Sequence, residues 1–270
     1  MYYNPLFPIA LIFGVLLFAL GRVVSSRLTA SKWWGLVLAI AILLSLPGLS
    51  FFVYYLHLFD DQLWYIQFRS LPGIELLAMA WGFLFGFLPV PTKSIPLFFL
   101  RSMRWGYLCL SICLLSVPFI KPILLPLDYP ALDANKWKDG VCLQYTGSTC
   151  GPASLATVLN TLGISRTEKE IARACYTSSS GTEIWYLIRY ARAQGCTVML
   201  LQQPDIARIP TPAIIGTNYG PIGHFVTILG RKDDKYIIGD PLIGKLLLTK
   251  GQFAERCGFK GFAVHIKARR

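Results

Sequence analysis

The sequence predicts two architectures in series: an all-α transmembrane bundle of about four helices, followed by an α+β domain. Three observations predict it. Of 270 residues, 54% are hydrophobic and only 15% are charged, a balance that suits a membrane protein with an attached domain better than one water-soluble fold. The charge is uneven: residues 1–126 hold eight Lys/Arg and three Asp/Glu, whereas residues 127–270 hold eighteen and eleven. Finally, long apolar runs give way after Pro126 to short segments separated by turn residues.

Four apolar runs, at 6–24, 34–56, 71–90 and 105–125, are near the roughly 20 residues a helix needs to cross the hydrocarbon core. Gly14, Pro47, Gly82 and Pro118 inside them are tolerated in membrane helices. Tyr2, Tyr3, Trp33, Trp34, Tyr54, Tyr55, Trp64, Tyr65 and Trp105 fall near their ends, where amphipathic rings favour the interface. No cation precedes the first run and no small-residue cleavage site follows it, so it reads as a helix and not a signal peptide. Gly82-Phe83-Leu84-Phe85-Gly86 fits the small-xxx-small contact pattern, which ordinary glycine frequency also produces. Glu75 reads as a carboxylate at headgroup level, and Cys109 and Cys113 as small residues packed in the bundle. Arg22, Arg27 and Lys32 in the first loop and Lys93, Arg101 and Arg104 in the third outweigh Arg69, Asp60 and Asp61 in the second. The positive-inside rule then puts loops one and three in the cytoplasm, and both termini outside.

Residues 127–140 read as a polar, proline-containing linker, and residues 141–270 as one compact domain. A helix over 152–162 has proline in its first turn and Gly163 as its stop. Thr167-Glu168-Lys169-Glu170 is a capping box that opens a second helix. A third, over 182–194, carries Ile184, Leu187, Ile188 and Ala191 on one face. Strands follow at 197–201, 213–215, 225–229, 236–238 and 246–248, then a short helix at 252–257 and a last strand at 262–266. Asp233-Asp234 fits a hairpin turn.

The formal net charge of +12 raises nucleic acid as a partner. The cations of the C-terminal half are not clustered, however, and no stacking platform accompanies them, so anionic lipid or acidic peptide is the better match. No cysteine spacing resembles a zinc site, and no cofactor is implied. Cys142, Cys150, Cys175, Cys196 and Cys257 leave two readings open: one free nucleophile with two disulfides, or buried free thiols.

A cysteine attacks as thiolate, and a helix N-terminus favours negative charge. Cys150 stands at such a place, directly before Gly151-Pro152. It needs an imidazole partner. The C-terminal half offers His224, which opens an apolar strand beside Gly220, Pro221 and Gly223, and His265, which has no acidic neighbour in sequence. His224 is therefore the expected base. The imidazole needs a group on its other nitrogen. Asp240 ends the strand after the one His224 opens, and an antiparallel hairpin brings the start of one strand beside the end of the next. The oxyanion needs donors, for which the backbone N–H of Cys150 and the side-chain amide of Gln144 are the candidates.

These elements, Gln144-x5-Cys150-Gly151-Pro152-Ala153, Gly223-His224-Phe225-Val226 and Asp240-Pro241, resemble the peptidase C39 family of bacteriocin-processing, double-glycine leader peptidases. The resemblance covers 141–266 and implies a papain-like fold and cleavage after a Gly-Gly pair. It makes Cys150 the nucleophile, His224 the base, Asp240 its orienter and Gln144 the oxyanion donor, with a peptide or protein as substrate. The order of parts departs from relatives fused to ABC exporters, whose peptidase is N-terminal and cytosolic. Here four helices precede it and the sequence holds no Walker A motif. ATP-driven export is therefore expected to belong to separate machinery. A peptide-binding receptor and another acyl transferase or amidase are the rival readings, because papain-like sites support several acyl transfers.

Overall fold

The computed structural model describes residues 3–59, 62–89, 97–129, 136–219, 222–259 and 261–269. Of the features above, Tyr2, Asp60, Asp61, Val90, Lys93, residues 130–135, Gly220 and Pro221 lie outside these. The helices of the first half are α1 (Leu6–Leu28), α2 (Trp34–Tyr54), α3 (Leu63–Arg69), α4 (Ala80–Phe87, entered through a 3-10 turn at Ile74–Met79), α5 (Leu97–Ser116) and α6 (Ile120–Leu124). Among the described residues, Leu6–Leu28, Trp34–Tyr54 and Ser102–Leu124 are long and apolar enough to cross a membrane, with a fourth span if Leu63–Arg69 and Ile74–Phe87 are counted as one.

The chain forms two compact units. One comprises Tyr3–Asp60 and Gly73–Lys121; the other joins Asp61–Pro72 to Pro122–Arg270. In the first unit, α1 turns small residues inward, with Ala10, Gly14 and Gly21 buried. Large ones, including Ile12, Phe13, Leu16 and Leu20, point outward. The Gly82/Gly86 pair of α4 faces α1 so closely that a Cβ on Gly82 would strike the Gly14 carbonyl oxygen, and one on Gly86 that of Phe18. The small-xxx-small pattern is thus used inside the chain. Glu75 is fully buried. One other reading needs correction: Cys109 and Cys113 are exposed instead of packed inside.

The apolar run at 71–90 yields a shorter helix than its length suggested. Gly73 takes a left-handed conformation, and the helical path restarts only at Ile74. What precedes it, α3, belongs to the other unit. Its last carbonyls lack partners within the helix. Arg189 donates to the Arg69 carbonyl, and Arg192 to that of Ser70 at 3.2 Å. The Arg69 guanidinium lies 4.3 Å from the Trp185 ring centroid, a cation–π contact.

The second unit continues with a short hairpin, β1 (Trp137–Lys138) and β2 (Val141–Cys142), then α7 (Cys150–Thr161), α8 (Glu168–Ala174) and α9 (Ile184–Ala193). The strands β3 (Cys196–Gln202), β4 (Ala213–Tyr219), β5 (Ile222–Lys232), β6 (Lys235–Asp240), β7 (Gly244–Leu248) and β8 (Phe262–Ala268) follow, with α10 (Lys250–Cys257) before β8. The strands form one antiparallel sheet in the order β3-β8-β4-β5-β6-β7. Side chains alternate between sheet faces. Val226, Ile228 and Ile238 join Phe253 and Cys257 of α10 in one core cluster. Phe225, on the opposite parity, meets α7: its carbonyl accepts from Ser154 Oγ at 3.0 Å. Residues Gly151–Leu159 of α7 are all buried, as expected for a helix apolar on every side.

Candidate active site

Cys150 is the first residue of α7. Its N–H is therefore among those that no carbonyl of the helix can satisfy. The preceding loop is held by local bonds. Thr146 N–H donates to Thr149 Oγ1 at 3.1 Å, and Thr149 N–H donates to the Thr146 carbonyl at 3.3 Å. Behind Cys150 the packing is tight: a Cβ on Gly151 would lie 2.9 Å from Leu187 Cδ1 and 3.5 Å from Phe225 Cδ2.

Sheet register brings His224 to Asp240. Ile228 faces Ile238 and Thr227 faces Gly239 across β5 and β6. Continuing that register sets Asp240 opposite Val226, and His224, two residues on, shares its face. Diagonal neighbours of this kind lie about 7–8 Å apart, within reach of long or ring side chains. His224 Nε2 meets Asp240 Oδ1 at 3.1 Å. The same oxygen accepts the Leu242 N–H at 2.9 Å, which fixes the carboxylate. His224 is 7% exposed and Asp240 3%. Cys150 is the other group that acts on the His224 ring. Burial alone pulls the imidazole down. The hydrogen bonds to Asp240 and Cys150, and their charges, outweigh it and lift the ring from 6.5 to about 9.

Gln144 is bound to the same neighbourhood through its backbone, whose N–H donates to the Pro241 carbonyl at 2.9 Å. Its side-chain Nε2 donates to the Thr146 carbonyl at 2.7 Å. An amide nitrogen carries two hydrogens, so this bond orients the group and leaves one N–H for a ligand. His265, the rival base, bonds the Pro212 carbonyl through Nδ1 at 2.9 Å.

The other cysteines of this half separate cleanly from Cys150. All are free thiols, so the two-disulfide reading is corrected: they stand on separate elements, and Cys142, Cys175, Cys196 and Cys257 are each buried, whereas Cys150 is partly exposed. Burial pushes the Cys142 thiol up to about 12 and that of Cys257 to about 11, and raises Cys175 and Cys196 as well. Such thiols are inert. Among the described residues no group of three or more His, Cys, Asp or Glu could hold a metal ion.

Sequence reasoning passed over Glu168, noting it only as a member of the capping box. It is 2% exposed and accepts the Tyr145 N–H through Oε1 at 2.9 Å. Burial raises its carboxyl, against hydrogen bonds from Thr149 and Tyr145 that lower it. The signal in the sequence was an acid at the first helical position beside a capping box that Thr167 and Glu170 complete without it.

A model of the peptidase C39 family matches residues 138–269. An uncharacterised protein of Methanothermobacter marburgensis is 31% identical over 112 residues, 42% of this chain and 78% of that protein. Another, from Methanothermobacter thermautotrophicus, is 29% identical over 114 residues, covering 42% and 80%. Among solved structures, the peptidase domain of Streptococcus ComA, a bi-functional ABC transporter involved in a quorum-sensing pathway, is 21% identical with a TM-score of 0.43. The match covers 48% of this chain and 98% of that one. A double glycine motif protease from an AMS/PCAT transporter, in complex with the leader peptide, is 24% identical with a TM-score of 0.43, covering 51% and 97%.

Proposed function

This chain belongs to the peptidase C39 family, and on that premise we propose that it is a membrane-anchored cysteine peptidase that cleaves peptides after Gly-Gly or similar small residues at the end of a leader. The observation that carries the reading is the His224–Asp240 hydrogen bond at 3.1 Å, on a ring that Cys150 also helps to raise.

The reaction follows from these atoms. The Cys150 thiolate attacks the scissile carbonyl carbon while His224 holds the proton. The carbonyl oxygen becomes an oxyanion, received by the Cys150 N–H and the Gln144 side-chain N–H. Collapse breaks the C–N bond, and the leaving amine takes the proton from His224. A thioester to Cys150 remains. Water then attacks it, giving its proton to His224 as base, and the carboxylate product leaves as the thiolate is restored. Asp240 keeps the ring oriented and supports its positive charge.

The helices of the first unit support membrane anchoring, because large apolar side chains point outward and small ones inward. The distribution of cations in the loops supports a peptidase domain on the outer side. The test is acyl-enzyme trapping. Full-length protein mixed with a Gly-Gly peptide thioester and quenched in acid should carry the acyl mass on Cys150, and the Cys150→Ala protein should carry none. Acylation elsewhere, or nowhere, refutes the reading.

A further inference from the structure

Glu168 anchors the segment that presents the two oxyanion donors. Its Oε1 accepts the N–H of Tyr145, the residue after Gln144, at 2.9 Å. Further along, Thr149 Oγ1 bonds within the loop, to the Thr146 carbonyl at 3.1 Å, and Ser148 Oγ donates to the Ser179 carbonyl. Thr146 makes the remaining short-range bonds, including the one that holds the Gln144 amide. Local bonds set the shape of a loop but not its seat on the domain. Glu168 is on another element, α8, and 23 residues from Tyr145.

Nothing in helix capping requires this acid. Thr167 Oγ1 accepts the Glu170 N–H, and Glu170 Oε2 accepts the Thr167 N–H, so the box is complete with Glu170 pointing out. Glu168 instead turns inward and is almost fully removed from solvent. Burying a carboxylate is costly unless its hydrogen bonds are made, and here Oε1 bonds the residue that follows Gln144.

We infer that Glu168 is a positioning residue for the oxyanion site: one buried carboxylate seats the loop between the Gln144 amide and the Cys150 N–H by anchoring Tyr145. This rests on the peptidase reading above. It predicts a defect specific to tetrahedral species. Misplacing a donor by about 1 Å costs on the order of 10²-fold, whereas simple alkylation of the thiol forms no oxyanion and needs no donor.

The experiment compares two reagents on the full-length protein. A peptide aldehyde ending in Gly-glycinal adds to the Cys150 sulfur and gives a hemithioacetal that occupies the oxyanion site. Iodoacetamide alkylates the same sulfur by displacing iodide. Glu168→Ala should weaken the aldehyde about 10²-fold and lower kcat with little change in KM, while the alkylation rate of Cys150 stays at the wild-type value. Glu168→Gln keeps an acceptor for the Tyr145 N–H and should recover most of the loss. Unchanged aldehyde affinity in Glu168→Ala overturns the inference. So does an equal loss of aldehyde affinity and alkylation that Glu168→Gln fails to recover, since that describes damage to the thiol's own reactivity. A wild-type protein that neither binds the aldehyde nor is alkylated at Cys150 overturns the peptidase reading instead.

Discussion

The backbone N–H of Gln144 donates to the carbonyl of Pro241 at 2.9 Å. The loop that leads to Cys150 is thereby joined to the turn that follows Asp240. Two of the four site residues are thus tied through main chain, and side-chain substitutions in the site need not disturb the frame that holds it.

Gln144→Ala keeps that main-chain bond and removes the side chain proposed as an oxyanion donor. Loss of a single donor of this kind costs roughly 10²–10³ in kcat. Steady-state cleavage of a Gly-Gly peptide should show the drop in kcat with KM nearly unchanged, and an unchanged kcat would remove Gln144 from the mechanism.

The raised His224 predicts the alkaline limb. The ring holds its proton until about pH 9, and its proton is what the leaving amine receives. kcat/KM should therefore fall above about pH 9. The bonds that raise the ring above 6.5 also stabilise the fold. That stability is complete below about 6.5, and it is lost as pH rises toward 9. Asp240→Asn removes a charge that holds the proton, so the limb should move to lower pH along with a large fall in rate. A pH–rate profile of both proteins checks this.

Burial predicts which thiol reacts. In the native protein iodoacetamide should modify Cys150 ahead of Cys142, Cys175, Cys196 and Cys257, and in denaturant all five should react. Peptide mapping by mass spectrometry reads the outcome.

In the first unit, Gly82→Leu or Gly86→Leu places a branched side chain against the α1 main chain. Backbone cannot rotate away as a side chain can, so the cost should be about 3 kcal/mol or more. Thermal unfolding in detergent should show a lower Tm for both variants, with little change for Gly106→Leu, where a Cβ meets nothing within 4 Å.

Much of the site was legible because its signals are local or follow from strand parity. Cys150 before Gly151-Pro152 reads as a helix start, and the His224–Asp240 meeting follows from one hairpin. The Thr167–Glu170 capping box was also readable from residue spacing. Long-range relationships were not. Glu168 reaches Tyr145 only after α8 folds under the loop, and no periodicity encodes that contact. Likewise α3 lies inside the membrane half of the sequence, yet Arg189 and Arg192 of α9 satisfy its terminal carbonyls. The strands were found but drawn short: β5 extends to Lys232 because Gly230 and the charged residues after it still pair with β6. Hydrophobicity marks where a strand is buried; pairing decides where it ends.

The most direct test of the central claim is cleavage of a Gly-Gly leader reporter by the purified full-length protein, with Cys150→Ala assayed beside the wild type. The account predicts cleavage after the Gly-Gly pair by the wild type, and a loss of at least about 10⁴-fold in the variant, whose fold is retained by circular dichroism. Cleavage at the wild-type rate by the folded Cys150→Ala protein would contradict it.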